Sequence, residues 1–431
     1  MSRHILIAIL LGVCFAGSLA RRAGAQYLLE DVKDPKRYES GFIVFPFMFY
    51  TSAYRLGGGV VFSGTGLLQP QTDSFGLLLG SVNGSYGVQG GLHDLQVPKF
   101  DRLFFDIELA FFQENQFTAY LAGNPHFSHQ IPGSNDSSNR DFFQTKNDDG
   151  WGHMTFKYLL PIGGGRDVVI NRYRLDEGML ADGAVGGIGW NPFATGRTFL
   201  EITPRWEYQA LESAPADLHS DTNGLEFGVI YDNSDFPLNP SRGNVAQLQV
   251  KRDFGLFNSS DSWTNISGEF TQYLNLGESR AFKQRVLSLD AWTSYSPTWH
   301  NAKRGGDSPR TAPPFYEGAV LGGNTHFRGF DDNRFHDRAA LYGSAELRLV
   351  PRWNPFTKFK LLKEADITWM QWVLFAEIGR VANEYSPELL RKPKGDVGFG
   401  LRILAKDTLV RFDVAASSEG YQVWVGLGQP F

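Results

Sequence analysis

The stretch Asp396-Val397-Gly398-Phe399-Gly400-Leu401-Arg402-Ile403, with Val410-Arg411-Phe412-Asp413-Val414 close behind it, decides the architecture. Val397, Phe399, Leu401 and Ile403 alternate with Asp396, Gly398, Gly400 and Arg402. Val410, Phe412, Val414 and Ala416 alternate with Arg411 and Asp413. Side chains on a strand point to opposite faces in turn, so each segment is a ribbon with one apolar face and one charged face. The segment 371–381 repeats this, with Trp372, Leu374, Ala376 and Ile378 opposed to Gln371, Phe375, Glu377 and Gly379. A soluble sandwich could also use such strands, with its core on the apolar face. The number of segments and their punctuation argue for a barrel instead.

Outward from there, the chain reads as strand after strand, bounded by Gly, Pro, Asn, Asp or Ser. The segments are 41–52, 56–68, 73–85, 102–118, 150–161, 182–192, 197–212, 222–234, 242–254, 263–276, 284–299, 338–351, 371–381, 396–405, 408–417 and 421–431, sixteen in all. An even number of segments of about ten residues, with short and long connections, predicts an antiparallel transmembrane β-barrel. The long connections at 119–149 and 300–337 are expected on the extracellular side. Composition agrees, with 48 Gly and 14% aromatic residues in 431. The longest apolar run in the barrel region, Phe42 to Tyr50, is far short of the roughly 20 residues a membrane helix needs. A helical membrane protein is excluded.

Residues 1–25 read as a signal peptide. Arg3 and His4 precede an apolar run from Ile5 to Ala16, and Ala23-Gly24-Ala25 offers a small-x-small cleavage site before Gln26. Cys14, the single cysteine, lies inside that run behind Val13 and lacks the preceding small residue of a lipoprotein site. The mature chain is then free of cysteine, and disulfides cannot stabilise it. Its net charge is more negative than the −5 of the whole sequence, because Arg3, Arg21 and Arg22 leave with the segment. Nucleic acid is therefore excluded as a partner, and outer-membrane lipid is expected. Gln26 to Ser40 form a short periplasmic segment ahead of the barrel at 41–431.

No enzyme chemistry emerges. Asp182-Gly183-Ala184 has the acid half of a lipase dyad, but no Gly-x-Ser-x-Gly turn accompanies it. Gly57-Gly58-Gly59 and Gly163-Gly164-Gly165 lack the strand-to-helix setting of a phosphate loop and read as bends or turns. The nine histidines are scattered without zinc spacing. Asn147-Asp148-Asp149-Gly150 reads as a polar loop tip. No metal or cofactor is expected.

The most informative stretch is Gly322-Gly323-Asn324-Thr325-His326-Phe327-Arg328-Gly329-Phe330, late in the loop between the eleventh and twelfth segments. It is followed by Gly343-x-x-Glu346-x-Arg348 and Phe375-x-Glu377-x-Gly379, and preceded by Asp232-Asn-Ser-Asp235-Phe-Pro237-Leu-Asn-Pro240-Ser-Arg-Gly243. The chain ends on Tyr421-Gln-Val-Trp-Val-Gly-Leu-Gly-Gln-Pro-Phe431, which sets Tyr421, Val423, Val425, Leu427, Gln429 and Phe431 on one face. Together these resemble the bacterial surface antigen or outer-membrane assembly superfamily, which includes BamA, TamA and the two-partner-secretion transporters. The resemblance covers 222–431 by motif and 41–221 by strand pattern alone. Phe327 departs from the Val or Ile that normally precedes the Arg-Gly-aromatic tip, and Glu377 stands where Asp is usual.

The resemblance implies that the loop folds back into the barrel and that Arg328 pairs with Glu377 and Glu346. The alternation places both glutamates on the inner face. Gly329 permits close approach at the tip, beside Phe327 and Phe330. The competing reading leaves Arg328 solvated in its loop. The terminal strand ending on Phe431 resembles the targeting strand of outer-membrane proteins. The resemblance also implies insertion, assembly or export of client proteins, with a separate periplasmic or lipoprotein partner. Family members usually carry periplasmic POTRA domains, for which Gln26 to Ser40 are too few. Closing the barrel pairs 41–52 with 421–431, where Pro46, Gly426, Gly428 and Pro430 weaken the ladder. That seam opens sideways, or Pro46 marks an ordinary bulge. The alternative function is an outer-membrane pore, or a structural barrel with no assembly role.

Overall fold

The computed structural model describes residues 26–35, 37–38, 40–51, 53–121, 131–212, 218–299, 311–355, 367–405 and 407–431. The expected signal peptide at 1–25 lies outside the described residues. One antiparallel sheet of sixteen strands dominates. Its first half comprises β1 (Gly41–Thr51), β2 (Arg55–Thr65), β3 (Asp73–Ser81), β4 (Tyr86–Gln96), β5 (Leu103–Ala119), β6 (Phe143–Leu159), β7 (Arg197–Glu212) and β8 (Leu218–Asp232). The second half comprises β9 (Gly243–Phe254), β10 (Ser262–Asn275), β11 (Phe282–Tyr295), β12 (Ala339–Pro351), β13 (Ile367–Ala382), β14 (Lys394–Ala405), β15 (Thr408–Ser417) and β16 (Gly420–Leu427). Each strand pairs with its sequence neighbours, in order from β1 to β16.

The two faces segregate as the alternation requires. Leu374, Ile378, Val397, Phe399 and Val414 are exposed on the outside, whereas Gln371, Glu377, Asp396, Arg402, Arg411 and Asp413 are buried inside. A water-soluble protein does not leave such an apolar belt in contact with solvent, whereas a bilayer covers it.

The strand number agrees with the sequence reading, but two assignments change. Tyr86–Gln96 is a strand that the sequence reading left unassigned between 73–85 and 102–118. The segment 182–192 is not a barrel strand. It belongs to a long connection, 160–196, between β6 and β7, at the opposite end of the barrel from the loop that carries Arg328. Asn147-Asp148-Asp149-Gly150 is likewise no loop tip. It lies within β6, where Asn147 is buried.

The connection 160–196 and the N-terminal segment build a second, three-stranded sheet. Tyr27–Asp31 runs parallel to Asn171–Asp176, which pairs in turn with Met179–Asp182. Its core joins Tyr27, Tyr38, Tyr173 and Leu175 to Phe236 and Leu238 from the β8–β9 turn. Polar contacts tie it to several sides of the barrel. Gln26 Nε2 donates to Asp94 Oδ1 of β4 at 2.7 Å, Arg197 Nη1 of β7 donates to the Gln26 carbonyl at 3.1 Å, and Arg37 Nη2 donates to Thr368 Oγ1 of β13 at 2.9 Å. Trp369 Nε1 donates to the Gly178 carbonyl at 3.1 Å. The small sheet therefore lies across the barrel mouth on this side.

Among the described residues no backbone ladder joins β1 to β16. Gly428, at φ +77°, donates its N–H to the Leu409 carbonyl at 2.8 Å and turns the chain away from the wall. Leu427 packs against the cluster of Phe49, Tyr54, Val61, Leu77 and Leu79, on the inner side of β1–β3. Ser63 and Thr408 meet across this corner, Oγ to Oγ1 at 2.9 Å, and Thr65 Oγ1 donates to Asp407 Oδ2 at 2.6 Å. Phe431 is thus not part of the last strand, which the sequence pattern ran from 421 to 431 and which ends at Leu427. Its ring lies inside the barrel, 5.2 Å from the Arg348 guanidinium.

Candidate functional site: the loop tip in the lumen

The register of β12–β15 creates two unfavourable neighbourhoods on the inner wall. Glu377 of β13 stands directly opposite Asp396 of β14, and Arg402 of β14 directly opposite Arg411 of β15. Like charges facing one another across a ladder destabilise a sheet. Here the loop between β11 and β12, residues 296–338, bridges the acidic pair and adds an acceptor to the basic one.

Arg328 sits at the loop tip and is fully buried. Its backbone N–H donates to Glu377 Oε2 at 2.6 Å and its Nε to Glu377 Oε1 at 2.9 Å. Nη2 lies 2.8 Å from Glu346 Oε1 on β12, and Nη1 lies 3.2 Å from Asp413 Oδ2 on β15. The guanidinium stacks 3.5 Å above the Phe375 ring centroid. A planar fork with five donors serves three carboxylates at once and still offers its flat face to the Phe375 ring. The neighbouring Gly329 N–H donates to Asp396 Oδ2 at 2.6 Å. The Glu377–Asp396 pair is therefore bridged by consecutive groups of the loop.

The opposing pair of cations is served by Asp413 of the wall and by one carbonyl of the loop. Asp413 Oδ1 accepts from Arg402 Nη1 at 2.5 Å, and the Asn324 carbonyl accepts from Arg411 Nη2 at 2.9 Å. Arg348 completes the network on Glu346 at 2.7 Å. Tyr342 Oη donates to Glu377 Oε1 at 2.6 Å. Trp424 on β16 donates from Nε1 to the Arg328 carbonyl at 2.6 Å, so the loop tip also holds the last strand.

Steric fit is close around the tip. A Cβ on Gly329 would come within 2.5 Å of Asp396 Cβ, and one on Gly379 within 3.1 Å of both Leu321 Cδ1 and the Leu341 carbonyl. Phe327 adopts φ +76° and packs against Phe330 at 4.6 Å between centroids, with Phe335 and Tyr342 around them. A second arginine fixes the loop farther up. Arg334 grips Glu419 of the β15–β16 turn with Nε and Nη2, at 2.7 and 2.9 Å, and reaches Ser137 with Nη1 at 2.9 Å.

Of the residues singled out from sequence, the structure brings Phe327, Arg328, Gly329, Phe330, Glu346, Glu377 and Gly379 together. The seam residues lie apart from them. Pro46 pairs with Val60 on β1–β2 and Gly426 faces Arg411 on β15. Asp396, Arg402, Arg411 and Asp413 belong to the loop's site, although the sequence placed them only on the inner face. Beside the loop lies a cavity of about 590 Å³, lined by acids such as Glu108, Asp149, Glu207 and Glu269 and by Phe431. Among the described residues no cluster of ligating side chains could hold a metal ion.

A sixteen-stranded transmembrane barrel whose own loop is ion-paired inside the lumen defines a class of outer-membrane protein. The Omp85 superfamily domain matches residues 181–431, more than half of the chain, and the chain belongs to that superfamily. Among solved structures, CdiB from Escherichia coli is similar over 90% of this chain and 61% of its own, at 11% identity and a TM-score of 0.52. BamA from Haemophilus ducreyi lacking POTRA domains 1–3 is similar over 90% of this chain and 70% of its own, at 13% identity and a TM-score of 0.48. None of the curated proteins matches.

Proposed function

We propose that this barrel inserts or exports protein chains at the outer membrane, and that it does so through the seam between β1 and β16. The observation that carries this reading is the absence, among the described residues, of a β1–β16 ladder, with the chain turned inward at Gly428 just past β16. Two strand edges with unpaired N–H and C=O groups are a template for an added strand. Pro46, lacking an N–H, weakens any direct closure further. Arg328 is the strut that keeps the inner wall in register behind the seam, through Glu346, Glu377 and Asp413 on one side and Trp424 on the other. Client chains are the substrates, and a separate periplasmic or lipoprotein partner would deliver them.

An axial pore fits less well, because the small sheet lies across one mouth and the loop tip occupies the lumen. The test replaces Ser63 and Thr408 by cysteine, joining the two sheet ends in a chain whose mature part has no other thiol. Outer-membrane proteomics then compares deletion, wild type and the oxidised pair. Loss of client barrels or surface proteins on deletion, unrelieved by the oxidised pair and relieved by reductant, supports lateral opening. Full rescue by the oxidised pair overturns it. An unchanged membrane after deletion overturns the assembly role as well and turns attention to conductance.

A further inference from the structure

The connection Gly183–Gly196, part of which the sequence pattern mistook for a barrel strand at 182–192, carries large apolar side chains that remain mostly exposed. Ile188, Trp190 and Phe193 are 73%, 64% and 66% exposed. We propose that this loop is a lipid anchor, inserting these three side chains at the headgroup–acyl boundary of the periplasmic leaflet. The proposal rests on the reading of the chain as an outer-membrane barrel.

Position is the first argument. The Trp190 ring stacks on Phe270, with centroids 5.3 Å apart and planes 25° from parallel. Phe270 lies on the outer face of β10, in line with the exposed Ile266 and Leu274. Its ladder neighbours are Ala246 on β9 and Ala291 on β11. Two small residues flanking one ring leave a shallow recess on the lipid-facing wall, and the indole is seated there. The anchor is thus continuous with the surface that the acyl chains already cover.

Backbone satisfaction is the second. A loop that enters an apolar medium must satisfy its own polar groups. Gly187 N–H donates to the Asn233 carbonyl at 2.6 Å, and Asn233 Nδ2 donates to the Gly189 carbonyl at 2.8 Å. Asn191 Oδ1 accepts from Phe193 N–H at 3.0 Å, while its carbonyl accepts from Ala194 and Thr195 N–H at 2.9 and 3.0 Å. Gly196 N–H closes the loop onto the Val185 carbonyl at 3.0 Å. These bonds satisfy the polar groups at both ends of the loop, while its apolar side chains turn outward. Trp is also the residue that interfaces favour, its ring apolar and its N–H wet.

Location in the barrel gives the anchor a use. It packs on the β8–β9 turn, half-way round a sixteen-strand wall from the β1–β16 seam. Holding the far side at fixed depth would leave the seam as the part of the wall free to tilt against the bilayer.

The test labels single cysteines with a nitroxide in the full mature chain reconstituted in phosphatidylethanolamine–phosphatidylglycerol vesicles. Phe193→Cys is compared with Leu274→Cys on the lipid-facing wall and Asp167→Cys on an exposed part of the same connection. The expected result at 193 is loss of collisions with a water-soluble nickel complex and retention of collisions with oxygen, as at 274. Collision with the nickel complex at the level of 167 overturns the anchor. If 274 also collides freely with nickel, the barrel reading fails and the anchor with it. Shielding from nickel that occurs in native membranes but not in vesicles overturns lipid as the occupant in favour of a protein. As a second measurement, brominated lipid should quench wild-type fluorescence more than that of Trp190→Phe. Equal quenching overturns the placement of the indole.

Discussion

Replacing Arg328 by Met keeps much of the side-chain volume and removes the charge that three carboxylates share. Glu346 retains Arg348 at 2.7 Å and Asp413 retains Arg402 at 2.5 Å, so neither is abandoned. Glu377 keeps the Tyr342 hydroxyl and the Arg328 backbone N–H but loses its cation, with Asp396 directly opposite it. Removing one partner of a buried pair costs about 3–5 kcal/mol. At about 1.4 kcal/mol per factor of ten, the closed loop loses roughly a hundredfold to a few thousandfold of its advantage over the released loop. The assay is hydrogen exchange by mass spectrometry on the peptide containing residues 328 and 329, whose amides donate to Glu377 and Asp396. Their protection should fall by that factor. In the double variant Arg328→Met with Glu377→Gln, part of the loss should return, because the unpaired carboxylate is gone. A single-variant change of less than about 1 kcal/mol, roughly fivefold, would refute the account. Full additivity of the two substitutions would refute it equally.

Gly329→Ala should loosen the same loop without altering any charge, because the new Cβ meets Asp396 Cβ at 2.5 Å; we expect about 1–3 kcal/mol of lost stability, read from the urea midpoint of the folded barrel. Arg334→Leu should raise proteolysis at the β15–β16 turn and around Ser137 while leaving protection at residues 328–329 largely intact, since Glu419 and Ser137 are served by Arg334 and not by the tip. Asp235→Ala removes the acceptor of the Ser241 and Arg242 N–H groups, at 2.8 and 3.2 Å, and of the Ser241 hydroxyl; a loss of about 2 kcal/mol is expected in the same urea titration. Burial, aided by the nearby Arg334, pushes the His336 imidazole from 6.5 down to about 4. The unfolded loop then binds more protons between these values, so loop stability is complete above pH 6.5 and is lost as pH falls towards 4; protease sensitivity of the loop should rise over that window, and His336→Phe should flatten the profile.

Period two made the barrel legible, because an inner charged face and an outer apolar face are both written into each strand. It failed where glycine changes what alternation means. Tyr86–Gln96 contains Gly87 and Gly91 on its inner face, which make room for the rings of Phe112 and Phe75, so the strand carries little pattern of its own. In 182–192, Gly186, Ile188 and Trp190 mimic a strand face, yet Asn233 takes up the polar groups that a neighbouring strand would have used. The tail misled in the same manner. The spacing of Tyr421, Val423, Val425 and Leu427 continues to Phe431 on paper, but Gly428 at φ +77° ends the strand. For the loop site, Arg328, Glu346 and Glu377 were accessible from alternation and resemblance together. Asp396 and Asp413 were not, because their meeting with the loop depends on the register of four strands, which no single segment contains.

The two like-charge pairs on the inner wall also bear on how the molecule is made. If β13, β14 and β15 zip together before the loop arrives, Glu377 faces Asp396 and Arg402 faces Arg411 with no loop group between them. Asp413 on β15 already stands between the two arginines, so the barrier that the loop removes is the one between Glu377 and Asp396, through residues 328 and 329. In Glu377 and Asp396 the wall carries a mismatch that its own loop tip resolves, so seating of the tip and settling of that part of the wall are coupled.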